Sequence, residues 1–421
     1  MDINELLRGI SCSCGKHHTC AIKQVWIGDG AIAHLTDLTS EYKKILIVAD
    51  ENTYRAAGEE TERYLSDKDV TRLIFHGDTV LVPNEAAIAA TEAALGSSEL
   101  IIGIGSGVIQ DLCKYVSHFS HVPYFVIATA PSMDGYASSG AAMITDGMKV
   151  TYSAGVPEAI LADTNVLRAA PLEMIKAGYG DIIGKYSALN DWRLGHIVNG
   201  EYFCDYIYTL TYDMVKKVLP LAKKLLARDK ESVKTLMEAL IFVGIAMSFA
   251  GNSRPASGSE HHLSHFFEIT GIIDKEDYFP HGIDVVYSTA ITCKIREIIA
   301  NSTFPKEQFT MDEQTYAKEM TRVYKSVADG CMQLQKKLGT YSACRTDIYL
   351  AKEEEIKAVL RDAPTSHEIL DILGDIGLDI NEFYSMYSES KLSDAIRYAK
   401  DLKDRYTVLW MYYDMFGTKE I

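Results

Sequence analysis

The sequence from Leu100 to Asp111, LIIGIGSGVIQD, decides the fold, because it leads from an apolar strand into a helix through a glycine-rich turn. Glycines at positions 103, 105 and 107 let backbone N–H groups approach a pyrophosphate, whose charge the N-terminus of the following helix favours. The alternative is a tight turn that needs glycine for its geometry alone. With a strand before it and a helix after it, the stretch indicates a nucleotide-type loop.

Strands and helices alternate on both sides of this stretch. Apolar runs predict strands at residues 25–28, 45–49, 71–75 and 124–128, and helices are predicted at 53–65, 84–95 and from 107 to about 116. Such alternation is typical of βαβ units and a parallel sheet. We expect the strand at 124–128 to be the last one of that sheet.

The chain changes character after this sheet. Residues 141–144 and 149–152 predict an antiparallel hairpin around a turn at Asp146-Gly147. From about Pro171 onward, long helices are predicted at 205–226, 231–250, 281–299, 311–338, 352–361 and 392–415. The sequence therefore predicts an α/β dinucleotide-binding domain at 1–165 and an all-α domain at 166–421.

Composition excludes several classes of protein. A net charge of −16 argues against non-specific binding to nucleic acid or to an anionic membrane. The N-terminus lacks the pattern of a secretory signal, and no uncharged apolar run approaches the ~18 residues that span a bilayer, so we expect a cytoplasmic protein. Eight scattered cysteines suit free thiols. Cys12, Cys14 and Cys20 lack the spacing of a zinc finger, which favours a structural N-terminal segment.

Histidines after residue 257 indicate a metal centre. His261 and His265 share one face of a predicted helix, whereas His262 points about 100° away. His281 begins another predicted helix, and Asp181 is expected at the start of a third. One carboxylate and two imidazoles with an open coordination position are typical of a catalytic metal site. The alternatives are a coincidental helical pair of histidines and a carboxylate that merely caps its helix.

Other polar residues follow the predicted strands. Asp50 suits an adenosine ribose, as in NAD-binding proteins, or else caps the helix after it. The loop from Thr129 to Ser138 lies where ligands bind to parallel sheets, and its Asp134 suits a substrate hydroxyl. An ordinary strand-to-hairpin turn is the alternative.

Three cations belong to the predicted site. They are Lys114, Lys185 and Arg254, and the forked guanidinium of Arg254 suits a phosphate. A surface role is the alternative for Lys185.

These motifs follow one another in a fixed order over residues 20–300. They are Gly103-x-Gly105-Ser-Gly107-x-x-x-Asp111-x-x-Lys114, Thr129-x-Pro-Ser-x-Asp134-Gly-x-x-Ser138, Gly180-Asp181, Arg254-Pro-x-Ser-Gly-x-Glu260-His261-x-x-x-His265 and His281-Gly282. Together they resemble the glycerol-1-phosphate dehydrogenase family, most closely its bacterial AraM-type branch. That family belongs with iron-dependent alcohol dehydrogenases and dehydroquinate synthases.

The resemblance implies a fold and a reaction. The implied fold is dehydroquinate synthase-like, with a Rossmann-like parallel-sheet domain followed by a helical domain. The implied reaction is the reversible reduction of dihydroxyacetone phosphate to sn-glycerol 1-phosphate with NADH or NADPH, feeding glycerophospholipid synthesis. One divalent metal is implied in each subunit, nickel first and zinc next, and a homodimer is expected.

The resemblance also assigns residues. The implied metal ligands are Asp181, His261 and His281, the implied catalytic residues are Asp181 and His265, and Asp134 and His265 lie beside the substrate. The implied cofactor contacts are Asp50, Gly105, Gly107, Val108, Ile109, Gln110, Asp111, Thr129, Ala130, Pro131, Ser132 and Ser138. His262 is a departure from the pattern beside the expected ligand.

Three competing functions remain at this point. A cyclase of the dehydroquinate synthase type would use the same metal with a denser set of charges around its substrate. A glycerol or alcohol dehydrogenase would not need Arg254 for a phosphate. A nucleotide-sensing scaffold would hold no metal at Asp181.

Overall fold

The computed structural model of the protein describes residues 2–77, 81–145 and 148–419. It divides into two units, one formed by residues 1–182 and 213–253 and the other by 183–212 and 254–421. The predicted domain boundary near residue 165 differs from this division, because residues 166–182 and 213–253 also belong to the first unit.

The strands of the described residues all lie in the first unit. They are β1 (Ile10–Ser11), β2 (His17–His18), β3 (Gln24–Gly28), β4 (Lys44–Asp50), β5 (Asp69–Phe75), β6 (Leu100–Gly105), β7 (Tyr124–Ala128), β8 (Gly140–Thr145), β9 (Met148–Ser153) and β10 (Ala159–Asp163).

A six-stranded parallel sheet, ordered β3-β10-β7-β6-β4-β5, forms the centre of the first unit. Strands β4 and β6 are continuous apolar runs with no exposed side chains between Ile45 and Ala49 or between Leu100 and Ile102, as in sheets covered on both faces. The expectation that residues 124–128 form the last parallel strand is wrong. Strand β10 follows the hairpin and inserts between β3 and β7, with all five of its residues buried.

The remaining strands form two small antiparallel pairs. Strands β8 and β9 pair from Gly140 with Ser153 to Thr145 with Met148, which confirms the predicted hairpin. Its predicted turn at Asp146-Gly147 lies outside the described residues. Strands β1 and β2 form a second, shorter hairpin near the N-terminus.

Helix α8 ends in the second unit and α9 begins there, and all of the first eleven helices in chain order supply residues to the first unit. They are α1 (Ile3–Leu6), α2 (Leu35–Leu38), α3 (Glu51–Thr53), α4 (Glu59–Arg63), α5 (Glu85–Leu95), α6 (Gly107–Ser120), α7 (Thr164–Ala169), α8 (Leu172–Asn199), α9 (Asp205–Val218), α10 (Ala222–Leu226) and α11 (Lys230–Ala250). Among the helices of the described residues, only α11 is long and apolar enough to cross a membrane, and 78% of its most apolar window is buried inside the protein.

Asp181 lies within α8. The expectation that it begins a helix is wrong. Glycines at 178, 180 and 184 misled the prediction, because glycine in a helix is usually unfavourable. In α8 at least one of them permits close packing, since a Cβ on Gly178 would come within 1.8 Å of the Pro131 carbonyl oxygen. The interpretation of Asp181 as a helix cap is therefore excluded.

Helices are the only regular secondary structure among the described residues of the second unit. Besides the ends of α8 and α9 it contains α12 (Ser259–Asp274), α13 (His281–Ala300), α14 (Glu313–Tyr324), α15 (Ala328–Leu338), α16 (Thr346–Ala351), α17 (Glu353–Arg361), α18 (Ser366–Asp375), α19 (Ile380–Met386), α20 (Glu389–Tyr398) and α21 (Val408–Phe416). The helices predicted at 311–338 and 392–415 are each broken in two. At the second break, Lys400 and Asp401 form a fully buried ion pair at 2.7 Å.

Candidate nucleotide and metal site

The glycine-rich turn after β6 meets both requirements considered for it. A Cβ on Gly105 would lie 2.6 Å from Ile109, so the packing of this turn is by itself enough to require glycine at that position. The buried Gln110 side chain donates to the carbonyls of Gly103 and Gly105 at 3.3 and 3.2 Å, which fixes the end of the strand. No described side chain caps the start of α6 behind Ser106, so its first N–H groups keep their affinity for an anion.

The loop after β7 lies directly beside this turn. The Thr129 N–H donates to the Gly105 carbonyl at 3.2 Å. Lys114 is fully buried, and its Nζ donates to the carbonyls of Gly135 and Gly140 at 3.0 and 2.8 Å. Burial lowers the pKa of Lys114. The structure therefore gives Lys114 a role in holding the segment that carries Asp134 and Ser138.

Asp181 is bound to that same loop. Its Oδ2 accepts the Asp134 N–H at 2.9 Å, and both side chains are buried. Gly178, one turn earlier on α8, packs against the Pro131 carbonyl, and Gly244 of α11 packs against Ala137 from another direction. The carboxylate of Asp181 is thus fixed by rigid elements within the first unit.

Asp50 is the N-cap of α3. Its Oδ1 accepts the N–H groups of Asn52 and Thr53, both at 2.8 Å, and Thr53 Oγ1 accepts the Asp50 N–H in return. This arrangement is a capping box, which satisfies N–H groups that the helix leaves free. The capping interpretation is confirmed, and the ribose contact stays a prediction.

Three imidazoles lie together in the second unit. The ring centroids of His261 and His265 are 6.1 Å apart, and His281 lies 5.1 Å from the former and 5.4 Å from the latter. His281 is the first residue of α13, as predicted from its position after Pro280. The three histidines selected from the sequence are therefore adjacent in the structure.

Glu260 orients one of these rings. Its Oε1 lies 2.6 Å from His261 Nδ1, and the carboxyl group is fully buried. Burial raises the pKa of the Glu260 carboxyl, and the Gly258 N–H opposes the rise by donating to it at 2.8 Å. A carboxylate on one ring nitrogen leaves the other nitrogen as a metal ligand. Sequence reasoning gave Glu260 no role, because neighbours in a helix do not face each other.

His262 stands apart from the three imidazoles. It is 0% exposed, and neither ring nitrogen has a hydrogen-bond partner among the described residues. Burial, followed by the charges of Arg405 and Lys403, lowers the pKa of His262 well below its ordinary value. A neutral ring packed in the core accounts for this residue, and of the two neighbours it is His261 whose ring contacts that of His265.

The two remaining cations of the predicted site are occupied by protein partners. Arg254 donates through Nε to Glu201 at 2.7 Å and through Nη1 to the Tyr406 carbonyl at 2.8 Å. Its contact with a phosphate stays a prediction. Lys185 is fully buried and donates to the Ala256 carbonyl at 3.0 Å, so the surface role considered for it is wrong.

Comparison with known proteins identifies the family. A family described as iron-containing alcohol dehydrogenase matches residues 26–171. A protein of Halalkalibacterium halodurans named glycerol-1-phosphate dehydrogenase [NAD(P)+] is 30% identical over 410 residues, which cover 95% of this chain and 94% of that protein. The chain belongs to the glycerol-1-phosphate dehydrogenase family. Two further proteins of the same name are similar to this chain. The one from Geobacillus stearothermophilus is 32% identical and covers 73% of this chain and 79% of its own length, and the one from Bacillus licheniformis is 29% identical and covers 95% and 91%.

Solved structures show that the chain has the expected fold. An archaeal halo-thermophilic alcohol dehydrogenase from a Red Sea brine pool gives a TM-score of 0.63 at 12% identity, covering 98% of this chain and 96% of that one. A probable glycerol dehydrogenase from Sinorhizobium meliloti gives 0.60 at 14% identity, covering 92% and 91%. These likenesses support the dehydroquinate synthase-like fold.

Family membership makes the chain an oxidoreductase. The uncapped start of α6 beside the loop after β7 fits a pyridine nucleotide, and the carboxylate and imidazole groups fit a divalent metal, since both are ligands such ions accept.

Proposed function

We propose that this chain catalyses the reversible reduction of dihydroxyacetone phosphate to sn-glycerol 1-phosphate with NADH or NADPH. The observation that carries the proposal is the likeness, over 95% of the chain, to a relative that bears the name of this activity. The product is a backbone for glycerophospholipid synthesis. A cytoplasmic location and a homodimer are part of the same proposal, and the family resemblance supports both.

Asp181, His261 and His281 are the proposed ligands of one divalent metal, nickel in preference to zinc. The packing of the part of α8 that follows Asp181 supports this proposal. A Cβ on Gly184 would lie 2.5 Å from Val285 of α13 and 3.5 Å from Glu260 of α12. Because Asp181 is three residues earlier on the same continuous helix, it shares that helix face with Gly184.

The nucleotide is proposed to bind at the carboxyl ends of β4, β6 and β7. Ligands of open parallel sheets bind at this edge, and the first N–H groups of α6, which no described side chain caps, suit the pyrophosphate. The proposed contacts are Asp50, Gly105, Gly107, Val108, Ile109, Gln110, Asp111, Thr129, Ala130, Pro131, Ser132 and Ser138. Gln110 takes part through its backbone, because its side chain is bonded to the strand end.

A divalent ion at this site would polarise the ketone as a Lewis acid. His265 is proposed to hold the proton destined for the carbonyl oxygen, and its Nδ1 lies 3.5 Å from Glu268, which orients the ring. Asp134 is proposed to bind a substrate hydroxyl. Arg254 stays the candidate for the phosphate, which would have to compete with Glu201 for the guanidinium.

The test is turnover of dihydroxyacetone phosphate with NADH, measured after chelation and after restoring Ni²⁺, Zn²⁺ or Fe²⁺ in turn. We expect activity to vanish on chelation and to return best with Ni²⁺. Dihydroxyacetone without its phosphate is the matched control and should be a much poorer substrate. Equal turnover of both ketones would identify an alcohol dehydrogenase, and no turnover by metal-loaded protein would favour a scaffold.

A further inference from the structure

The N-terminal hairpin brings two thiols and an imidazole together. Strands β1 and β2 pair Ile10 with His18, and Gly15, at a φ of +86°, turns the chain between them. The ligand atoms of Cys12, Cys14 and His18 all lie within 4.8 Å of one another. Cys14 Sγ is 3.4 Å from His18 Nε2.

His18 is held in the orientation of a metal ligand. Its side chain is buried, its Nδ1 lies 3.1 Å from the Phe249 carbonyl oxygen, and its ring stacks on that of Phe249. Donation from Nδ1 to a carbonyl fixes the tautomer and leaves the lone pair of Nε2 directed at the thiols. A histidine that only fills space in the core would not need an acceptor on one nitrogen and sulfur at the other.

We propose that Cys12, Cys14 and His18 bind one Zn²⁺ ion at a site separate from the catalytic metal. Two thiolates and one neutral imidazole are the ligand types that zinc prefers, and binding releases the two thiol protons to solvent. These three residues leave one tetrahedral position for a further ligand. The sequence pattern failed to predict the site because a zinc finger has a second, distant pair of ligands, whereas the third ligand here, His18, lies only four residues after Cys14.

The proposed ion stabilises the attachment of the hairpin to α11. His18 reaches the carbonyl of Phe249 near the end of that helix, 231 residues later in the chain. A hairpin of two-residue strands is too short to be stable by itself. Coordination of both Cys12 and His18 would therefore fix the N-terminal segment on the first unit.

Cobalt substitution tests the site on the full-length protein. Co²⁺ bound to thiolate gives a sulfur-to-metal charge-transfer band, whereas the carboxylate and imidazoles proposed for the catalytic ion give none. We expect this band in the wild-type protein and two metal ions per chain by elemental analysis. Cys14→Ser and His18→Gln should remove the band and one ion, while retaining the catalytic metal.

Matched controls lie in the same segment. His17→Gln alters an imidazole whose Nδ1 contacts Ser11 instead of a thiol, and Cys20→Ser alters a buried thiol outside the cluster. Both variants should keep the band. Loss of the band in either control, or its persistence in Cys14→Ser, would overturn the assignment.

Thiol reactivity in the wild-type protein tests the proposal without any variant. Bound zinc should slow the reaction of Cys12 and Cys14 with a thiol reagent, and a chelator should restore it, as peptide mass analysis of the labelled sites would show. Equal labelling with and without chelator, together with a single metal per chain, would contradict the proposal.

Discussion

Glu260 joins the imidazole cluster through a single buried contact with His261. For Glu260→Gln we expect metal affinity to fall by about 10–100-fold, because a neutral amide makes the ring a weaker ligand than a carboxylate does. Competition with a chromophoric chelator measures this directly. Glu268→Gln, at the longer contact with His265, is the comparison and should have the smaller effect. Unchanged affinity in Glu260→Gln would remove this residue from the metal site.

His281 is the proposed ligand whose loss should least disturb folding, because it is only partly buried at the start of α13. In His281→Ala we expect metal binding and turnover to be abolished with a thermal midpoint close to that of the wild-type apoprotein. His262→Leu is the control. It should keep the metal and not lose stability, since it removes buried nitrogens that lack partners among the described residues. Metal loss in His262→Leu would show that the wrong neighbour has been assigned.

Single-residue roles were predictable only where spacing determines them. The four-residue separation of His261 and His265 on one helix face predicted their contact, and the structure has it. The partner of Arg254 was not predictable, since Glu201 lies 53 residues away and nothing local connects them. Contacts between distant elements depend on packing, which a single sequence does not display.

The close packing of helix α8 on the loop after β7 can be tested by substitution of Gly178. Gly178→Ala would place a methyl group 1.8 Å from the Pro131 carbonyl oxygen. We expect a loss of about 3 kcal/mol or more in the free energy of unfolding, because neither backbone is able to yield easily. Turnover should fall as well, because Asp181 lies one turn further along. Urea unfolding and a turnover assay measure both effects.

Gly374→Ala on α18 is the matched control, because no atom of the described residues lies within 4 Å of the added methyl group. It should raise stability by up to about 1 kcal/mol, as alanine favours a helix. Equal stability of the Gly178→Ala variant and the wild type would mean that α8 does not pack on the loop after β7.

The elements that could be predicted are those whose pattern is long or fully apolar. Strands β4 and β6 are buried on both faces and were recognisable as such. Strand β10 was missed because its five residues, two of them alanine, form a short run that follows a hairpin, and a hairpin predicts the end of a parallel sheet. The break before α21 was missed because Lys400 and Asp401 look like solvent-exposed helix residues until their buried pairing is known.

At the scale of the molecule, α11 decides whether the first unit is complete. Its Ser248 donates to the Ala137 carbonyl at 3.1 Å, and Gly244 packs against the same turn. We expect a chain ending at Ile182 to lack cooperative unfolding, and one ending at Ser253 to regain it. Thermal unfolding followed by circular dichroism compares the two. Cooperative unfolding of the shorter chain would show that α11 is dispensable.

The division of the first unit between residues 1–182 and 213–253 also matters during protein synthesis. A ribosome releases the chain from its N-terminus, so the sheet leaves the exit tunnel well before the helix that completes its unit. Residues 183–212, which belong to the other unit, emerge in between. A nascent chain paused anywhere in this interval leaves uncovered the apolar surface on which α11 packs, and such surface makes a folding chain prone to aggregation.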